Sequence, residues 1–203
     1  MPQVEGNIRM TKQRILEKAL ELFTDKGYEG SSMDDIAKAV GIRKASLYAH
    51  FDGKERIFSA IFDGILEEYA RVIDELTACS EEDAAARLEC IFLSFIGYCK
   101  DNLKMYFWDR YFYYPPAFLK DYIREKTLET EALFLERIRW WMKRAVQDET
   151  AQNRDVEGMA LTYYYSMIGL SMSVKLYDRE QLLHDARAAW SGLRLGSESD
   201  AAK

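Results

Sequence analysis

The chain is almost free of residues that stop a helix. Three prolines and eleven glycines are spread over 203 residues, and several stretches longer than 15 residues contain neither. Uninterrupted lengths of that kind favour long helices over a succession of short strands. With 48% hydrophobic residues, the chain can bury a core of one large or two small domains. The expected fold class is all-α.

Local signals place the helices. Residues 11–26 carry Ile15, Leu16, Ala19, Leu20, Leu22 and Phe23 at helical spacing, and Gly27 closes the helix as a C-cap. Ser32 with Asp35 reads as a capping box opening a short helix with Ile36, Ala37 and Val40 on its apolar face. Gly41 breaks it, and a second short helix is expected from Lys44 to Phe51. Asp52, with Glu55 in the box position, opens a long helix through Ile57, Ile61, Ile65 and Leu66. Ser80 with Asp83 opens another, through Leu88, Ile91, Phe92 and Phe95. Pro115-Pro116 forces a break before a long helix from Ala117 to Ala145. Asn153 or Asp155 opens a helix containing the uncharged segment Gly158 to Val174. Asp178 with Gln181 opens the last one, which fades near Leu195, and the polar tail from Gly196 to Lys203 is expected to be disordered. No internal repeat is visible.

Composition excludes several classes. Residues 1–14 carry charges and no apolar run, so no secretory signal is expected. The longest uncharged stretch, Gly158 to Val174, has 17 residues and includes Thr162, Ser166, Ser171 and Ser173; a membrane span takes about 20 predominantly apolar residues. It reads as a helix buried nearly all round, and no membrane association is expected. Cys79, Cys90 and Cys99 form no CxxC pair, and His50 and His184 are far apart in sequence. A reduced, cytoplasmic protein without a metal site or cofactor is expected. No nucleophile–base constellation or Gly-rich phosphate loop points to an enzyme.

Charge is uneven. The net charge is −6, yet residues 1–58 hold 10 basic against 9 acidic side chains, and residues 36–56 hold 5 against 2. A small basic patch on an acidic body confines any nucleic-acid binding to that patch.

Within the patch, two short helices joined by a Gly turn behind a longer helix make a helix-turn-helix arrangement. At about 100° per residue, Leu47 and Phe51 face inward with Ile36, Val40 and Ile42. The opposite side centres on Ala45 and Ala49, flanked by Ser46, with Lys44, Tyr48 and His50 at the margins. Small residues let a backbone approach base edges, and long donors at the margins reach phosphates. His50 also suits a capping or core position.

Residues 11–58 resemble the tetracycline-repressor (TetR) family of regulators. The resemblance rests on Ile15-Leu16, Ala19, Leu22-Phe23, Gly27-Tyr28, Ser31-Ser32, Ile36-Ala37, Val40-Gly41-Ile42, Ser46-Leu47-Tyr48, His50-Phe51 and Lys54-Glu55. It implies an N-terminal three-helix helix-turn-helix DNA-binding domain over 1–58. A helical effector-binding and dimerisation domain over 59–203 would follow. Ser32 would cap the first short helix beside a phosphate. Arg43, Lys44, Ala45 and Ser46 would meet bases or nearby backbone, and Tyr48, His50 and Lys54 would hold phosphates. Two positions depart from the family pattern: Met33 stands where a hydroxyl often touches the backbone, and Asp34 would repel a phosphate if it faced DNA. The implied partners are a double-stranded DNA operator, a second copy of the chain and a small-molecule effector, with repression as the default.

The second half offers less. The segment 158–174 matches, with 179–195, the place where family members form a four-helix interface between subunits; a central core helix of a monomer is the other reading. Aromatic residues concentrate at 106–122, with Phe134, Trp140, Trp141 and Tyr163 to Met167 beyond. Aromatics and methionines line pockets for large apolar or cationic ligands, and they also build ordinary cores. Trp108, Tyr111, Phe112, Tyr164 and Met167 are the candidate walls of an effector pocket; Asp109, Glu129 and Glu136 could offset a cation there or lie on a solvated face. The alternative to a ligand-responsive regulator is a helical adaptor without an inducing ligand.

Overall fold

The computed structural model describes residues 2–78, 83–148 and 155–193, which form nine α-helices, one 3-10 turn and no strand. The order is α1 (Pro2–Lys26), α2 (Met33–Val40), α3 (Lys44–Tyr48), α4 (Lys54–Thr77), α5 (Ala84–Cys99) and α6 (Leu103–Tyr113). The 3-10 turn Ala117–Leu119 leads into α7 (Lys120–Gln147), α8 (Val156–Ser171) and α9 (Arg179–Leu193).

The caps explain most boundaries. Ser32 Oγ accepts from the amide of Asp35 at 3.1 Å, and the Asp35 carboxylate accepts from the amide of Ser32 at 3.0 Å, which completes the capping box. Asp83, Asp155 and Asp178 accept from the amides of Ala85, Gly158 and Gln181, opening α5, α8 and α9. Ser80, Asn153, Leu195, Cys79 and the tail 196–203 lie outside the described residues.

Several boundaries differ from the sequence expectation. α1 begins at Pro2 rather than Thr11; proline suits a first helical position, where no amide donor is needed. α3 ends at Tyr48 rather than Phe51, because the His50 amide turns back to the Leu47 carbonyl in a tighter, three-residue bond. α4 is opened by Gly53, whose carbonyl takes the amide of Ile57, not by Asp52. The helix expected at Ala117 opens as a 3-10 turn before α7 begins.

The helices form two compact units. One comprises residues 1–69 and 103–124, the other 70–102 and 125–203. In the first, α1, α2, α3, the first part of α4 and α6 share one core: Ile15, Phe23, Ile36, Val40, Leu47, Phe58, Phe62, Phe107 and Tyr111 are all buried. α6 is tied to the end of α1 by polar bonds. Tyr111 Oη donates to the Phe23 carbonyl and Arg110 Nη1 to the Thr24 carbonyl, each at 3.0 Å. The Arg110 bond serves a carbonyl of the last turn of α1, where a helix leaves such groups without internal partners, and the Tyr111 bond adds to the Phe23 carbonyl, which also takes the Gly27 amide.

In the second unit, α5 packs against α8 and α9. Phe92, Tyr163 and Trp190 make a cluster of tilted and edge-to-face rings. The Tyr163 hydroxyl donates to the Leu88 carbonyl at 2.8 Å. Lys100 Nζ donates to the carbonyls of Val174 and Tyr177, holding the α8–α9 connection.

The uncharged segment 158–174 is not buried nearly all round within one chain. Its inner face, Met159, Ala160, Tyr163, Tyr164 and Met167, is covered. Thr162, Tyr165, Gly169 and Met172 form an exposed stripe at helical spacing, with Tyr165 58% and Met172 51% exposed. Helices α5 and α9 cover one side of α8, α7 meets it through Phe134 against Tyr164 and Glu131 against the Tyr165 hydroxyl, and the segment leaves the helix after Ser171.

Candidate nucleic-acid interface

The turn between α2 and α3 is fixed by backbone bonds. Gly41 adopts φ 78°, and its amide reaches the carbonyls of Ala37 and Lys38. The Ile42 amide returns to the Ala37 carbonyl at 3.0 Å. This is a Schellman closure, in which the left-handed position favours glycine. It delivers the chain to Arg43, whose carbonyl takes the amide of Leu47 at 3.1 Å.

A five-residue helix cannot sustain itself in water. α3 is held instead by Leu47, which is fully buried, and by Phe51 just beyond it. Anchoring one side fixes what the other presents. Arg43, Lys44, Ala45, Ser46, Tyr48 and Ala49 are exposed, and His50 is half-buried. The structure therefore brings the expected groove-facing residues onto one outward surface, with the alanines low between longer side chains.

Ser32 and Lys54 have internal duties as well. Besides capping α2, the Ser32 hydroxyl lies 2.5 Å from Asp35 Oδ2. That contact and the Ser32 amide hold the Asp35 carboxyl below its usual range. Lys54 Nζ donates to the carbonyls of Tyr28 at 2.7 Å and Ser31 at 2.9 Å, and it lies 3.9 Å from the centre of the Tyr28 ring. An ammonium has three N–H groups, and two of them are committed to these carbonyls. Lys54 thus stitches the start of α4 to the α1–α2 connection, and sequence spacing alone does not reveal this.

The acidic departure is answered locally. Asp34 pairs with Lys38 at 2.8 Å, and the Lys38 ammonium holds its carboxyl below the ordinary value, with Lys44 contributing. One basic group escapes the sequence reading: Lys12 of α1 lies 5.4 Å from the Phe51 ring, beside the end of α3. Only its position on an exposed face of α1 hints at it.

The five residues expected to wall an effector pocket fall into both units. Trp108 stacks nearly parallel with Phe62 (5.3 Å) and Tyr69 (6.3 Å), Tyr111 is buried, and Phe112 is exposed, all in the first unit. Tyr164 and Met167 are buried in the second, Tyr164 against Phe134. Glu129 pairs with Lys126 at 2.7 Å. Among the described residues no cluster of three or more metal-ligating side chains occurs, and no helix is long and apolar enough to cross a membrane.

Known proteins share this architecture. Residues 15–61 match the family described as bacterial regulatory proteins, tetR family. The biofilm operon icaADBC negative transcriptional regulator IcaR of Staphylococcus aureus (strain Newman) is 55% identical over 47 residues, 23% of this chain and 25% of the relative. The match therefore spans about a quarter of the length of that curated relative. The TetR family transcriptional regulator PfmR of Thermus thermophilus superposes with a TM-score of 0.68 at 25% identity, covering 92% of this chain and 96% of the other. AibR, solved with isovaleryl coenzyme A and operator DNA, superposes with a TM-score of 0.67 at 21% identity, covering 91% and 98%. The helix-turn-helix built on α1, α2 and α3 thus matches the tetR family of bacterial regulatory proteins over residues 15–61, and the whole chain shares the fold of a solved TetR family regulator.

Proposed function

We propose that the chain is a cytoplasmic, ligand-responsive transcription repressor that binds a double-stranded DNA operator as a homodimer. Residues 1–58 would contact DNA, and residues 59–203 would bind the effector and dimerise. The observation that carries the reading is the outward surface of α3. Arg43, Lys44, Ala45, Ser46 and Tyr48 are exposed while Leu47 anchors the helix. Ser32 is exposed and His50 half-buried, and Lys54 would hold a phosphate beside the N-terminus of α4. The IcaR similarity supports repression.

A dimer fits both the protein and the reaction. The stripe Thr162, Tyr165, Gly169 and Met172 leaves apolar surface in water, which favours burial against a second copy. Two reading heads would then meet half-sites about 34–36 Å apart.

An apolar or aromatic effector belongs to the same reading, with Trp108, Phe112, Tyr164 and Met167 as candidate contacts; Tyr111 is least suited, because the core already takes up its ring and hydroxyl. Such a ligand acts by favouring a conformation unable to engage the operator. The likeness to AibR, solved with isovaleryl coenzyme A and operator DNA, supports a small-molecule effector and an operator as the two partners.

Gel-shift with fragments of the source genome tests the reading. One fragment should shift specifically. Lys44→Ala with Tyr48→Ala, folded by circular dichroism, should weaken that shift and reduce the salt slope of binding by about one unit for the lost Lys44 ammonium. Unchanged affinity and slope would refute the assignment of α3.

A further inference from the structure

We propose that a cleft between the C-terminal end of α4 and α7, within the second unit, binds a flat aromatic carboxylate. The site goes beyond the regulator reading and shares no residue with the effector contacts assigned above.

The cleft has a volume of about 540 Å³, inside the range of about 300–1,000 Å³ usual for small-molecule sites. Trp141, 1% exposed, forms its floor, and its indole Nε1 donates to the Thr77 carbonyl at 3.3 Å. Trp140 stands at right angles to Trp141, ring centres 4.8 Å apart, and is 47% exposed. A half-open indole in a concave site offers a stacking surface to a planar ring.

The charges around it are not equivalent. Arg137 is paired with Asp74 at 3.2 Å, Arg139 with Glu157 at 2.6 Å, and Arg144 with Asp148 at 3.5 Å. Among the described residues, Lys143 and Glu136 have no hydrogen bond or ion pair. Glu136, Trp140 and Lys143 follow at intervals of four and three residues, so they share one face of α7. The two uncommitted charges are about 10 Å apart along the helix axis, with the indole between them. A ring stacked on Trp140 with its carboxylate toward Lys143 uses both the open indole and the free ammonium. Glu136 closes the opposite end to a second negative charge. A monoanion is therefore preferred over a dianion, and over neutral or cationic rings of the same shape.

Isothermal titration of the full chain with 2-naphthoate tests this without DNA. One saturable site per chain is expected. Trp140→Ala should weaken it about tenfold or more. Lys143→Gln, an exposed substitution that leaves the core untouched, should weaken it about fivefold. On the wild type, 2-naphthalenemethanol should bind about fivefold more weakly than the acid, 2-naphthylmethylammonium more weakly still, and 2,6-naphthalenedicarboxylate no more tightly. The difference between acid and alcohol should vanish in Lys143→Gln. Tyr114→Ala, which removes an exposed aromatic of the other unit, should leave binding unchanged. The proposal is overturned if naphthoate does not saturate the protein below millimolar concentration. It is equally overturned if the ammonium binds as well as the acid, if both cleft variants bind like wild type, or if Tyr114→Ala loses as much as Trp140→Ala.

Discussion

Gly27 and Gly41 provide an internal comparison of why glycine occupies a turn. Both have positive φ, 81° and 78°, so a Cβ at either is strained by the left-handed backbone. That strain amounts to about 1–2 kcal/mol. At Gly41 a Cβ would meet nothing within 4 Å, whereas at Gly27 it would stand 2.6 Å from Arg110 Nη2. The guanidinium must then move, and its bond from Nη1 to the Thr24 carbonyl at 3.0 Å is broken. Such a bond contributes about 1 kcal/mol net. Gly41→Ala should therefore destabilise by about 1–2 kcal/mol and Gly27→Ala by about 2–3 kcal/mol. The stiffening of the unfolded chain by alanine is common to both and cancels in the difference. In an Arg110→Ala background the clash and the bond are already gone, so Gly27→Ala should fall to the Gly41→Ala value, a coupling of about 1 kcal/mol. Urea unfolding followed by far-ultraviolet circular dichroism measures each of these proteins. Equal losses at the two glycines, or a coupling within about 0.3 kcal/mol of zero, would refute the claim that Arg110 closes the end of α1.

Gly169→Arg is the sharpest probe of the proposed dimer. A Cβ there meets nothing within 4 Å of its own chain, so the variant should fold normally while its charge blocks the apolar stripe of α8. Sedimentation should show a dimer for the wild type and a folded monomer for the variant; a monomeric wild type at micromolar concentration would contradict the proposed assembly. Burial pushes the phenols of Tyr28 and Tyr111 up to about 12. The fold therefore favours the neutral phenol, and the stability this contributes is complete below pH 10 and lost as pH rises from 10 through 12. The urea midpoint should hold steady to about pH 9 and fall above about pH 10; a midpoint flat to about pH 12 would show that these hydroxyls reach solvent.

The features legible in the sequence are those whose cause is local. The Ser32–Asp35 box, the helix break at Gly41 and the inward spacing of Leu47 and Phe51 are settled by neighbours within a few residues, and each stands as expected. What is not legible depends on distant partners. Arg110 and Tyr111 find the end of α1 across more than 80 residues of sequence, and no local pattern marks them. The aromatic run at 106–122 resembles pocket lining because composition does not distinguish a wall from a core; in the structure Phe107 and Tyr111 fill the first unit's interior. The position of Lys54 beside a helix N-terminus is plain in the sequence, while its partnership with the carbonyls of Tyr28 and Ser31 depends on the tertiary fold. The exposed stripe of α8 escapes for the opposite reason: lack of charge says that surface prefers burial, not whether one chain supplies the cover.

Of the five residues of α3, only Leu47 is buried. The fold's hold on α3 therefore reduces to that side chain, Phe51 and the Gly41 turn, and the outward positions are released from any structural duty. Exchanges at exposed positions of this sort change stability by about 0.5 kcal/mol or less. Lys44, Ala45, Ser46 and Tyr48 can thus drift, singly or together, without endangering the domain that carries them. With α3 in the DNA-contacting role proposed for it, a lineage built on this scaffold would acquire a new operator vocabulary in a few mutational steps, each intermediate remaining folded and open to selection.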